Sequence, residues 1–209
     1  MSVQVLLADD HRIVRESLKP ILEREGFQVV AEAADGREAV RLARELRPDV
    51  AVLDVIMPLL NGLDAARTIH QESPRTRTIL LTMHPEDAYV LQALQWGVRG
   101  YVLKSQAVAD LVRALREVCR GTVYLSPTVS GAVVEAYREK KDLADSLTPR
   151  EREVVQLIAE GKTTKEVASL LGVSVKTAES HRTNVMQKLG VHETASLVRY
   201  AVRRGLIEP

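Results

Sequence analysis

Two hydrophobic periods alternate five times along the first 121 residues, and this alternation restricts the fold more than any other feature. Short apolar runs fall at Val3–Ala8, Gln28–Ala33, Val50–Asp54, Thr78–Thr82 and Gly100–Lys104. Helical patterns fill the intervals at Ile13–Glu25, Gly36–Leu46, Leu63–Glu72, Glu86–Trp96 and Ala107–Arg120. Strands that alternate with helices build βαβ units and a parallel sheet covered on both faces. The runs VQVLLA and VAVLD are almost continuously apolar, as a strand buried on both faces requires. Gly26, Pro48, Pro58, Gly62, Gly97 and Gly121 all fall between the periodic segments. Aromatic residues are only 3% of the chain, so the cores must be aliphatic and rich in alanine.

The rhythm stops at residue 122. Pro127 can open a helix running to about Lys141, with Ser126 as its cap, and the charged stretch Glu139–Ser146 suits a flexible linker. An all-helical pattern begins at Leu147. Thr148-Pro149-Arg150-Glu151 is a capping box with proline at the first helical position, and this helix ends near Gly161. Thr164–Leu171 forms a second helix stopped by Gly172; Ser174 caps a third to Leu189, stopped by Gly190. A fourth runs from about Thr194 to Arg204. The expected domains are 1–121, a linker with a helix over 122–146, and 147–209. Net charge is −2 over residues 1–146 and +3 over residues 147–209, a mild asymmetry toward a basic C-terminal module.

One cysteine, Cys119, excludes an internal disulfide and suits a reducing compartment. It sits on a helix among apolar neighbours and is expected to pack. The run Val3–Ala8 is too short and too acidic at its end for a signal peptide, and no apolar stretch approaches the roughly 18–20 residues of a membrane span. A cytoplasmic protein without membrane contact is expected.

In an open parallel sheet, ligands gather at the carboxyl ends of the strands. Asp9 and Asp10 follow the first strand and Asp54 ends the third. Three acids brought together repel one another unless a cation is present, and oxygen ligands of this kind suit Mg²⁺. Such a metal can neutralise a phosphoryl group while a carboxylate attacks phosphorus. Thr82 ends the fourth strand with a hydroxyl for a phosphoryl oxygen, and Lys104 ends the fifth with a positive charge for the same place. His11 is expected to be a surface residue at a helix start.

The runs LLADDH, VLDVIMPLLNGLDAAR, ILLTMH and GYVLKS resemble the receiver domain of response regulators across essentially all of residues 1–121. The resemblance implies a flavodoxin-like (βα)5 fold with a doubly wound parallel sheet in the order 2-1-3-4-5. It implies Asp54 as phosphoryl acceptor from a sensor histidine kinase. It places Asp9, Asp10, Asp54 and the backbone carbonyl of Ile56 around Mg²⁺, and makes Thr82, Tyr101 and Lys104 switch residues, with Thr82 and Tyr101 drawn inward after phosphorylation. Ser105 departs from the pattern, since many receivers carry a proline there, often after a cis bond; a cis Lys104–Ser105 bond would cost about 3 kcal/mol or more.

Thr164–Leu189 has the pattern helix, tight turn, helix. In the second helix Ala178, Val185 and Leu189 form an apolar stripe, with Lys176, Glu179, Ser180, Thr183 and Gln187 opposite. Short polar side chains reach base edges and cations grip phosphates, with the hydroxyl of Thr177 near the helix start as a further phosphate contact. The run LTPREREVVQLIAEGKTTKEVASLLGVSVKTAESHRTNVMQKLGV closely resembles the four-helix DNA-binding domain of the NarL/FixJ, or LuxR-type, response regulators over about residues 146–207. The resemblance implies Val175–Leu189 as recognition helix, with Glu179, Ser180 and Thr183 at base-reading positions. It implies Lys165, Lys176, Thr177, Arg182, Asn184 and Lys188 on the phosphate side, and Thr194–Arg203 as a dimerising element. Glu179 stands where some relatives carry lysine, so their base preference does not transfer.

Together these features predict a DNA-binding transcriptional regulator controlled by phosphorylation, not an enzyme. Its expected partners are double-stranded promoter DNA, a sensor histidine kinase, RNA polymerase, and a second copy on phosphorylation or on DNA. Two other readings stay open at this point: a protein-interaction switch, and a regulator whose receiver is vestigial. A P-loop at Gly161-Lys162-Thr163 is excluded because Gln156 replaces the upstream glycine and no strand precedes it. A carboxylate-nucleophile phosphatase would need a second acid where Ile56 stands.

Overall fold

The computed structural model describes residues 2–83, 90–105, 108–131 and 147–208. The expected helix starts at Glu86 and Ala107, the helix end near Lys141 and the linker over 139–146 lie outside the described residues. The chain divides into two compact units, Met1–Leu143 and Ala144–Pro209.

The first unit alternates as its hydrophobic periods require: β1 (Val3–Ala8), α1 (Arg12–Arg24), β2 (Phe27–Ala33), α2 (Gly36–Leu46), β3 (Val50–Asp54), α3 (Gly62–Glu72), β4 (Arg77–Thr82), α4 (Val90–Gln95), β5 (Gly100–Leu103) and α5 (Val108–Cys119). A short strand, β6 (Tyr124–Leu125), follows. All pairings are parallel, in the order β2-β1-β3-β4-β5-β6. The expected order of five strands is thus extended by one. Two residues are too few to show a period, and β6 forms because the exposed edge of β5 offers unpaired backbone groups.

Side chains alternate across the sheet and build two cores. Leu6, Ala51, Leu53, Leu80 and Tyr101 pack with α2, α3 and α4 on one face. Val5, Leu7, Val52, Ile79, Leu81 and Val102 pack with α1 and α5 on the other, with Cys119 half-buried against them. Residues 127–131 are helical, and Val129 and Leu125 belong to the first of these cores.

The second unit contains α6 (Pro149–Ala159), α7 (Thr164–Leu171), α8 (Val175–Leu189) and α9 (Thr194–Arg203). Thr148 accepts from the amide of Glu151, whose carboxylate accepts from the amide of Thr148, which completes the expected capping box. Thr163 and Glu166 form a second box at α7. Gly172 and Gly190 end α7 and α8 at φ of 64° and 63°, where other residues are strained. Among the described residues no helix is long and apolar enough to cross a membrane.

Candidate functional site

Parallel strands deliver their last residues to one edge, and the chemistry collects there. Asp9 follows β1 and is fully buried; Asp54 closes β3 and is 5% exposed. Lys104, one residue beyond β5, places Nζ 2.7 Å from Asp9 Oδ2 and 2.7 Å from Asp54 Oδ2. Its amide donates to the carbonyl of Thr82 at 2.7 Å, so the ends of β4 and β5 are tied together. Thr82 itself is buried. Asp9, Asp10, His11 and Asp54 each bring one ligand atom within 4.8 Å of the others.

Burial pushes the Asp54 carboxyl up to about 7, and the charges of Asp9 and Asp10 add to that against the pull of Lys104. Burial works against the Lys104 ammonium, but Asp54 and Asp9 outweigh it and raise its pKa. The centre is therefore short of positive charge: one lysine serves two buried carboxylates, with Asp10 beside them. A hard divalent cation suits this oxygen-rich donor set.

The structure brings together Asp9, Asp10, Asp54, Lys104 and Thr82, five of the residues expected at the edge. Ile56 is half-buried in the turn after β3. His11 is half-exposed as expected, but its Nδ1 lies 2.7 Å from Asp10 Oδ1 and 3.4 Å from Asp9 Oδ1, so it borders the acidic cluster. Tyr101 is 1% exposed and lies in the core on β5. No peptide among the described residues is cis, Lys104–Ser105 included.

In the second unit, α8 is held by Ser174, whose hydroxyl accepts from the amide of Thr177, and by the buried stripe of Ala178 and Val185. Lys165 on α7, and Lys176, Thr177, Glu179, Ser180, Thr183 and Asn184 on α8, are all exposed. Lys188 is exposed as well and Arg182 half-buried, and both are engaged: Arg182 donates to Thr194 Oγ1 at 2.9 Å, and Lys188 pairs with Glu151 at 2.9 Å. Both fasten α8 within the unit. Val175, at the first position of α8, is 41% exposed.

The Lys188–Glu151 pair has a measurable consequence. Burial raises the Glu151 carboxyl, but hydrogen bonds from Lys188 and Thr148 prevail and hold it below the ordinary range. A depressed pKa contributes stability that is present above the unfolded value and lost as pH falls through the folded one. Glu151→Gln is expected to cost about 1 kcal/mol at neutral pH and to remove this acid-sensitive share. Urea unfolding of the second unit at neutral pH and in the acid carboxylate range checks both; equal losses at the two pH values would contradict it.

A parallel α/β unit with an acidic strand edge, followed by a four-helix unit with a helix-turn-helix, defines a signalling regulator of two parts. Residues 5–116 match the response regulator receiver domain, and residues 145–201 match the luxR family of bacterial regulatory proteins. The chain belongs to the response regulators with a luxR-type output half; it is a transcriptional regulator, not an enzyme. It is 36% identical over 206 residues to the transcriptional regulatory protein MctR of Rhizobium johnstonii, covering 98% of this chain and 95% of that one. It is 34% identical to the response regulator protein VraR of Staphylococcus aureus over the full length of both. RcsB of Salmonella enterica serovar Typhimurium, solved bound to promoter P1flhDC in the presence of phosphomimetic BeF3-, is similar at 31% identity, with 96% of this chain and 98% of that one covered and a TM-score of 0.65.

Proposed function

We propose that the chain accepts a phosphoryl group on Asp54 from a sensor histidine kinase and responds by binding promoter DNA through α8. The observation that carries this reading is the bridge of Lys104 between Asp9 and Asp54 at the strand edge, on the same chain as a capped helix-turn-helix. In the transfer, an oxygen of Asp54 attacks phosphorus as the bond from phosphorus to the kinase histidine breaks. The imidazole leaves with the electron pair and takes a proton from solvent.

Asp9, Asp10, Asp54 and the carbonyl of Ile56 would hold a Mg²⁺ ion. When bound, it neutralises the charge of acids and phosphoryl group together. Lys104 already reaches the acceptor carboxylate and follows the phosphoryl oxygens, while Thr82 offers its hydroxyl from the next strand. Tyr101, buried on β5, acts with Thr82 and Lys104 as a switch residue.

The working division is a receiver over 1–121, a connecting segment over 122–146 whose start, β6, joins the receiver sheet, and a DNA-binding domain over 147–209. Glu179, Ser180 and Thr183 face bases, and exposed Val175 suits a thymine methyl group. Lys165, Lys176, Thr177 and Asn184 face phosphates. Arg182 and Lys188 serve the same side while also holding Thr194 and Glu151. Through α9 a second copy joins on DNA; RNA polymerase is the downstream partner, and the setting is cytoplasmic.

Binding of the phosphorylated chain to a duplex selected from random sequence tests this reading. Affinity should fall steeply with salt, and Lys176→Ala should weaken all sequences alike and lower the salt slope by about one. Affinity independent of salt would contradict a DNA-binding output and favour a protein partner.

A further inference from the structure

The segment that follows α5 is hydrogen-bonded along the strand that leads to Lys104. In the parallel register, Gly100 faces Tyr124 and Tyr101 faces Leu125. The amide of Tyr124 donates to Arg99 at 2.9 Å, and that of Ser126 donates to Tyr101 at 3.0 Å. Ser126 is fully buried. Its hydroxyl accepts from the amide of Leu103 at 3.3 Å and donates to Asp110 Oδ2 at 2.9 Å. The other oxygen of Asp110, in the first turn of α5, accepts from the Tyr124 hydroxyl. Burial and the bond to Asp110 push that hydroxyl up to about 12, so it keeps its proton and remains a donor. An acid in a first helical turn ordinarily serves the helix dipole. Here both oxygens are committed to Tyr124 and Ser126, in the segment after α5.

We propose that Ser126 and Asp110 form a clasp through which the phosphorylation state of Asp54 is passed to the connector between the two units. The proposal rests on Asp54 being the acceptor. Lys104 is now shared by two carboxylates at equal distance. A phosphoryl group on Asp54 brings three oxygens and draws the lysine from Asp9. The backbone that must follow includes Leu103, whose amide is held by Ser126. This bond is 3.3 Å long, beside 2.9 Å from Ser126 to Asp110. Coupling requires an element held differently in two states, and the clasp is such an element.

The test compares the full chain with Ser126→Ala and Asp110→Ala, using acetyl phosphate as donor and a duplex selected from random-sequence DNA as probe. Phosphoryl uptake should stay within about twofold of the parent, because neither residue touches Asp54. The ratio of DNA affinities with and without phosphoryl should fall by about fivefold or more toward one. In the parent, the hydrogen-bonded amides of Tyr124 and Ser126 should exchange faster after phosphorylation, a readout that needs no variant. Tyr124→Phe, a milder change, should lower the ratio less but in the same direction. Parent-like ratios in all three variants, or exchange at both amides that ignores phosphorylation, would overturn the clasp alone. A parent that takes up no phosphoryl would overturn the proposed function and the clasp with it.

Discussion

An Asp54→Asn chain is expected to take up no phosphoryl group from acetyl phosphate or from a phosphorylated kinase, and its DNA affinity should not respond to either donor. The amide has nearly the shape of the carboxylate, so the 5% exposed site keeps its packing. Its nitrogen lone pair is delocalised and its oxygen is a poor nucleophile. Asp9 cannot stand in. Asp9 is fully buried behind Lys104, and Oδ1 accepts the amide of His11. Intact-mass measurement and DNA titration on the same preparation check both halves. Phosphoryl uptake equal to the parent would place the acceptor elsewhere.

The second large effect is structural. Gly62→Ala is expected to destabilise the first unit by about 3 kcal/mol or more and to impair phosphoryl uptake. Helix propensity alone predicts the opposite, since alanine in place of glycine gains up to about 1 kcal/mol within a helix. Geometry decides the sign. A Cβ at Gly62 would lie 1.8 Å from the carbonyl oxygen of Asp54, 2.8 Å from its carbonyl carbon and 3.1 Å from Val55 Cα. These are backbone atoms that no rotamer change can move. The amide of Gly62 also donates to Val55 at 2.8 Å, so the start of α3 is fixed against the end of β3. Relief must push the helix away or displace the peptide that carries the acceptor. Trp96, the single tryptophan, lies in the first unit and reports its urea unfolding by fluorescence. A loss below about 0.5 kcal/mol would show that the turn has slack.

The core strands and the acidic edge were legible because a period of two and a strand end are local features. Asp54 closes an apolar run, and that alone sends it to the carboxyl edge. The meeting of Lys104 with the acids was legible from the strand ends, whereas its equal 2.7 Å contacts to Asp9 and Asp54 depend on β1 and β3 lying side by side in register. The two-residue strand β6 lacks the length to show alternation, and it owes its existence to the open edge of β5. Ser126, expected to cap the helix after it, is also bound to Leu103 and Asp110, contacts that span 23 and 16 residues. Thr163 was available as a signal, since Glu166 three residues on completes a capping box. On α8 the exposed polar face followed from spacing, whereas the bonds of Arg182 and Lys188 to Thr194 and Glu151 depend on how four helices pack.

The central claim is that chemistry at one end of the first unit governs a separate DNA-reading unit. Its most direct test is a titration of one selected duplex with a single preparation, before and after phosphorylation by acetyl phosphate with magnesium. The predicted result is tighter binding after phosphorylation by about tenfold. Identical affinities, with the phosphoryl group located on Asp54 by mass spectrometry, would contradict it.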